Sequence, residues 1–214
     1  MCIRVGITGD MGSGKTWISM LFEQKGVPVY NCDENSKRLI STLPELITEI
    51  KTEFGENMYE GNLFKNLAAI VFVDEARLEK LTSIIRPYIN NDIESFFTKH
   101  SEEKFALIET ATLYEVGMNK ILDRVIYVHA DEKVRMERAK TRSGTTEEDY
   151  RNRMKNQINS VKKIRMSDYT ISNGPDDDPI ELVEQVYEHL TTMDPEKYVA
   201  KKWLDEHFNK YFTD

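Results

Sequence analysis

Cysteine is nearly missing: Cys2 and Cys32 are the only two in 214 residues, and they form no CxxC pair. With only four scattered histidines as well, neither a disulfide framework nor a zinc site is expected. Glycine and proline are few, 10 and 6, which excludes a collagenous or low-complexity chain. No apolar run approaches the roughly 18 to 20 residues that a membrane helix needs, and the opening MCIRVGITGD reaches a polar loop too early for a signal peptide. A cytoplasmic location is the default expectation. Positive charge is also in deficit, 29 Lys and Arg against 37 Asp and Glu for a net of -8, so an electrostatic grip on nucleic-acid phosphates is a poor starting hypothesis.

The chain is 40% hydrophobic and 31% charged, as expected of a soluble globular protein with one ordinary domain and room for a small insertion. Charge is unevenly spread. Between Asp131 and Arg165 eleven Lys or Arg stand against six Asp or Glu, a net of +5, leaving -13 for the remainder. A basic island in an acidic chain points to a local anion.

The segment CIRVGIT is β-branched and apolar and runs into a Gly-rich loop, as a buried strand would. After Lys15 the pattern turns helical, with Ile18, Leu21 and Phe22 at i, i+3 and i+4 and Gly26 as the stop. VPVY reads as a second strand. From about Asp33 to His100 the signals are helical: Pro44 suits a first turn, Asp74 caps EARLEKL, and Pro87 opens YINNDIESFF. FALIE (105–109), RVIYVHA (124–130) and YTIS (169–172) are further strands, with room for a short helix between the first two of these. Strands alternating with helices predict a parallel sheet covered on both faces. The run Pro175 to Pro179, with three aspartates, reads as an exposed loop, and a closing helix is predicted over about 195–212.

Gly9-Asp10-Met11-Gly12-Ser13-Gly14-Lys15-Thr16 fits the phosphate-loop pattern GxxxxGK[ST], between a strand end and a helix start. Glycines let successive N–H groups turn toward phosphate oxygens, and the helix N-terminus adds its positive dipole end. Lys15 would reach the β- and γ-phosphates and Thr16 would offer its hydroxyl to Mg²⁺. A phosphate loop does not by itself choose among kinase, nucleotide switch and mechanical ATPase. The only Asn-Lys pair, Asn119 and Lys120, is followed by Ile121 and Leu122, which breaks the guanine motif NKxD. FALIE ends in Glu109 rather than Asp, unlike the usual ATPase strand. A small-molecule kinase fits better. Asp33, at the end of the second strand, is the candidate carboxylate for the acceptor hydroxyl, with a plain helix cap as the competing reading. Arg138 and Arg142, at i and i+4 on one helix face, are candidate phosphate cations on a mobile segment.

At these residues the chain resembles dephospho-coenzyme A kinase, from about residue 3 to residue 190. IRVGITGDMGSGKT matches the family's opening, GVPVYNCD its second-strand ending and IVFVDEARLEKLTSIIRPYI its helical acceptor region. TLYEVG looks like its LLFE segment, RAKTR its lid arginines and SDYTISN its ADYVIxN signature. The resemblance implies transfer of the γ-phosphoryl of ATP, with Mg²⁺, to the ribose 3′-hydroxyl of dephospho-coenzyme A. It implies a three-layer α/β P-loop kinase fold with a five-stranded parallel sheet: a core of about 1–32 and 101–193, a helical acceptor-binding insertion of about 33–100 and a lid of about 138–155.

By the same resemblance, Lys15, Asp33 and Arg138 are catalytic, and Met11, Gly12, Ser13, Gly14, Lys15, Thr16, Arg142 and Asn173 bind ATP, Asn173 near the adenine. Asp33, Arg38, Lys65 and Arg86 face the acceptor, and Thr16 holds Mg²⁺. Small-molecule substrates are the expected partners, with no nucleic acid, no membrane, and a monomer or weak homo-oligomer. Asp10 replaces a usual Gly and is expected to turn outward from the phosphate cradle; Asn31 stands where the family has a first Asp, and Arg86 where a His is usual. Another nucleoside or nucleotide kinase, and a non-enzymatic nucleotide-binding regulator, are the alternatives.

Overall fold

The apolar runs predicted as strands become one sheet because each can be buried on both faces, the condition under which strands read as unbroken hydrophobic stretches. The structure, a computed structural model, describes residues 2–71, 74–155 and 157–193; the closing helix predicted over 195–212 lies outside these. The chain divides into two compact units, one from Met1–Tyr30 with the chain from His100 onward, the other Asn31–Lys99.

In chain order, β1 (Ile3–Thr8) leads through the glycine-rich loop into α1 (Lys15–Gln24), and β2 (Val29–Asn31) follows. The second unit holds α2 (Cys32–Thr42), α3 (Pro44–Phe54), α4 (Leu63–Val71) and α5 (Glu75–Lys99). The first unit resumes with β3 (Phe105–Glu109), β4 (Arg124–His129), α6 (Glu132–Ser143), α7 (Glu147–Lys155), α8 (Ser160–Met166), β5 (Tyr169–Ser172) and α9 (Pro179–Thr192). Between β3 and β4, only a single 3₁₀ turn at Met118–Lys120 stands where a short helix had room.

The strand order is β2-β3-β1-β4-β5, with β1 parallel to β3 and β4, and β4 parallel to β5. The five predicted strands and their parallel arrangement are thus the observed ones. Alternation decides which side chains share a face. Ile3, Val5 and Ile7 of β1, Phe105 and Leu107 of β3, and Ile126 and Val128 of β4 lie in one buried cluster with Ile18 and Phe22 of α1 and Val183, Val186 and Leu190 of α9. Phe22 and Phe105 meet edge to face at 6.1 Å between ring centres, a geometry that ring quadrupoles favour. On the other face, a Cβ at Gly6 would stand 2.4 Å from Leu113 and 2.6 Å from Leu122, so the segment after β3 packs against bare β1 backbone.

In the second unit, Pro44 occupies the first turn of α3 as predicted, and Asp74 accepts from the Arg77 N–H at 3.2 Å. Pro87 corrects the sequence reading: it opens no helix but lies inside α5, which runs through it for 25 residues. A proline there removes the amide that would bond Ser83 and costs about 3 kcal/mol in an isolated helix. Here Pro87 is on the exposed side, while Leu81, Ile89, Ile93 and Phe97 are buried on a stripe at multiples of four residues. Packing of that stripe holds the two halves in one helix.

Truncating Phe22, which is 0% exposed, to alanine should cost about 3 to 5 kcal/mol, read as a lowered denaturant midpoint at unchanged slope. A loss under about 1 kcal/mol would show that this aromatic contact is not central to the core.

Candidate phosphate-binding and phosphoryl-transfer site

Because β1 lies between β3 and β4, the chain leaves the sheet from β1 toward β2 on one side and later fills the other side with β4 and β5. In open parallel sheets, the carboxyl ends of the strands at such a reversal form the ligand crevice. The loop Gly9–Thr16 lies there.

Its glycines are required by geometry. Gly12 and Gly14 hold φ at +83° and +92°, left-handed values that a side chain disfavours. A Cβ on Gly12 would stand 2.2 Å from the Arg135 carbonyl oxygen, and one on Gly14 2.1 Å from Asn173 Nδ2. The loop is closed by the Ser13 N–H donating to the Asp10 carbonyl at 3.1 Å. Lys15 Nζ donates to the same carbonyl at 3.4 Å, which folds the ammonium back over the loop. Lys15 and Thr16 open α1, so the helix dipole adds positive potential at the same place.

Thr16 Oγ1 donates to Glu109 Oε1 at 2.7 Å. Glu109, 6% exposed at the end of β3, is a site residue that sequence reasoning missed, since the strand ends in Glu where the usual ATPase strand has Asp. The available signal was a carboxylate ending a fully buried strand beside β1. Among the described residues no group of three His, Cys, Asp or Glu could hold a metal. A hydroxyl and one carboxylate fit Mg²⁺, which keeps waters and takes its remaining ligands from substrate phosphates; they do not fit a zinc or calcium cage.

Asn173 closes the back of the loop. Its Nδ2 donates to the Ser13 carbonyl at 2.7 Å, its N–H donates to the His129 carbonyl at 2.8 Å, and its own carbonyl accepts from Arg138 Nη1 at 2.8 Å. The residue predicted near an adenine therefore holds loop backbone, and the arginine predicted for phosphates is tied to that residue. Arg142, in the last turn of α6, is exposed.

Asp10 departs from expectation. Its carboxylate does not turn outward: it is fully buried, accepting from Tyr127 Oη at 2.9 Å, from Arg135 Nη1 at 2.6 Å and from Ser160 Oγ. Lys163 Nζ stands 3.5 Å from its other oxygen. Two cations and two hydroxyls inside the unit compensate the desolvated charge. With burial the larger cause and the Asp10 charge next, the Tyr127 hydroxyl is pushed far above its usual range and stays a donor at all ordinary pH.

In the second unit, Asp33 is exposed in the first turn of α2. The cap is not Asp33 but Asn31, whose Oδ1 accepts from the Glu34 N–H at 3.0 Å, so the competing reading of Asp33 as the cap falls away. Arg38 pairs with Asp92 at 2.5 Å and with Asn35 at 3.0 Å. Lys65 on α4 and Arg86 on α5 are exposed.

Substituting Gly12 with alanine should weaken nucleotide binding more than about tenfold, since strain and collision together exceed 1.4 kcal/mol; Trp17, 41% exposed next to Thr16, offers a fluorescence readout. Unchanged affinity would remove the loop from the site. His129, behind Asn173, has its imidazole held below the usual 6.5, mainly by burial, with Asp131 opposing. The unfolded chain therefore takes up this proton first, so its contribution to stability is complete above about pH 6.5 and declines below it. Replacement by glutamine should flatten the fall in denaturation midpoint between about pH 7 and pH 5, and an identical profile would contradict the assignment.

A family model described as dephospho-CoA kinase matches residues 3–178. Curated relatives include the dephospho-CoA kinase of Porphyromonas gingivalis, 34% identical over 194 residues, covering 89% of this chain and 94% of that protein. That of Aquifex aeolicus is 34% identical over 192 residues, covering 88% and 97%. Among solved structures, TT1252 from Thermus thermophilus superposes with a TM-score of 0.77 at 26% identity, covering 88% of this chain and 96% of that one. The dephospho-CoA kinase of Campylobacter jejuni shares the fold at TM-score 0.66 and 20% identity, covering 89% and 98%. A phosphate loop at the sheet's reversal, followed by a helical second unit, is thus joined to sequence similarity along most of the chain, and the chain belongs to the dephospho-CoA kinase family.

Proposed function

We propose that the protein transfers the γ-phosphoryl group of ATP to the ribose 3′-hydroxyl of dephospho-coenzyme A, giving coenzyme A and ADP, the last step of coenzyme A synthesis. One observation carries this reading: a closed phosphate loop with Lys15 folded over it and Thr16 bonded to buried Glu109, in a chain whose relatives bear that activity in their names. The hydroxyl oxygen forms a bond to the γ-phosphorus as the bond to the β,γ-bridging oxygen breaks. ADP leaves with that electron pair, and the hydroxyl proton passes to Asp33 and then to solvent.

Phosphoryl transfer runs through a loose transition state with charge spread over the equatorial oxygens, so positioning and cations carry most of the catalysis. In this reading Lys15 spans the β- and γ-phosphates, and the loop amides of Met11 to Thr16 hold the phosphate chain. Arg138 and Arg142 add charge from a lid of about 138–155. Thr16 would ligate the Mg²⁺ that arrives with ATP and Glu109 would orient its waters, and the ion would supply charge neutralisation to the phosphates. Asp33, Arg38, Lys65 and Arg86 are assigned to the acceptor, with Asp33 orienting the hydroxyl.

The test is ADP release from Mg·ATP with dephospho-coenzyme A, adenosine, AMP or no acceptor. Stimulation by dephospho-coenzyme A alone is expected, and stimulation by AMP or adenosine instead would replace the acceptor while keeping the kinase. Asp33→Asn should lower kcat on the order of a hundredfold with ATP affinity retained, whereas Lys15→Ala should impair nucleotide binding and turnover together. An Asp33→Asn enzyme with full turnover would take this carboxylate out of the mechanism.

A further inference from the structure

The residue that departs most from a glycine-rich phosphate loop, Asp10, is bonded through both its backbone carbonyl and its carboxylate. Its backbone carbonyl receives Lys15 Nζ and the Ser13 N–H, while its carboxylate receives Arg135 from α6 and Ser160 and Lys163 from α8. Lys163 is itself fully buried and pairs with Glu115 at 2.8 Å. Asp10, Glu115, Arg135 and Lys163 thus form a balanced group of two anions and two cations within one unit. Removing one charge leaves a desolvated partner uncompensated, which is far costlier than losing a surface pair.

The consequence reaches the arginines assigned to the phosphates. Arg135 lies one turn before Arg138 on α6, and its carbonyl abuts Gly12. Helix α6 is therefore fixed on the loop by two bridges, Arg135 to Asp10 and Arg138 through Asn173 to Ser13. We propose that Asp10 is a positioning residue: acting through Arg135 and Lys163, it sets α6 and α8 on the phosphate loop so that Arg138 and Arg142 meet the transferring phosphoryl group, without touching the nucleotide. This rests on the kinase reading above. An aspartate whose side chain faces the interior leaves the loop amides to the phosphates, and it keeps two nearby cations from competing for the nucleotide in an unproductive pose. Reacting groups displaced by about 1 Å lose on the order of a hundredfold in rate, so the effect falls on kcat.

Steady-state kinetics with Mg·ATP and dephospho-coenzyme A on the full chain test this, with rates expressed per folded molecule. Asp10→Asn keeps the shape and the hydroxyl donors but drops the charge. It should lower kcat by about ten- to a hundredfold while KM for ATP changes less than about threefold. Arg135→Gln should do the same, and the double variant Asp10→Asn with Arg135→Gln, which restores charge balance, should turn over faster than Asp10→Asn alone. Arg135→Lys keeps the charge and the fold but shortens the fork, and it should show the same selective loss in milder form if Asp10→Asn does not fold. Equal kcat in the single variants and wild type, a loss of kcat and ATP affinity in parallel, or strict additivity in the double variant would overturn the proposal. Absence of turnover by the wild-type protein would overturn the kinase reading and this proposal with it, whereas active wild type with an unaffected Asp10→Asn overturns the proposal alone.

Discussion

Burial of β1 on both faces and hydrogen bonding on both its edges is the constraint from which the site follows. A central strand with β3 and β4 as parallel neighbours cannot end in another strand pairing, so the chain must leave the sheet at Thr8 and turn back over it. The backbone amides of that turn have no ladder to join, and buried amides need partners. A loop of left-handed glycines closing directly into α1 faces several of them inward together, and it does so where the dipole of α1 is positive. The phosphate site is in this sense the solution to terminating a strand in the middle of a sheet.

The elements that were legible in the sequence were those whose signal is local. Buried parallel strands read as short apolar runs, which is why all five strands were found within a residue or two. The loop was legible because the glycine spacing encodes a backbone path. Pro87 misled because proline's local meaning, a helix start, was outweighed by packing: Leu81, Ile89, Ile93 and Phe97 are buried on a helix that meets α2, α3 and α4. Asp33 reads as a helix cap because residue type alone does not place a cap to within two positions, and the structure puts it at Asn31.

What stayed hidden was long-range charge. Asp10 meets Tyr127, Arg135, Ser160 and Lys163 across 117 to 153 positions of sequence, and no periodicity reports such a meeting. Sequence reasoning placed its carboxylate outside because an anion beside phosphates is repelled, and that physics is sound; the resolution is inward burial among cations. The basic island between Asp131 and Arg165 carries a related lesson. Its excess charge pointed to a local anion, yet part of it, Arg135 and Lys163, is consumed by an anion of the protein itself.

The second unit has a topological standing that its helical composition conceals. Neighbouring parallel strands must be joined by a crossover, of a dozen residues or more in ordinary cases. Between β2 and β3, adjacent in the sheet, that crossover is α2 through α5. Deleting it and splicing the strand ends would ask the chain to travel the length of the sheet with nothing to travel on. Evolution can therefore lengthen, shorten or re-decorate these helices, but it cannot discard them without replacing the connection they make, so the element assigned to the acceptor is also a structural obligation of the nucleotide-binding sheet.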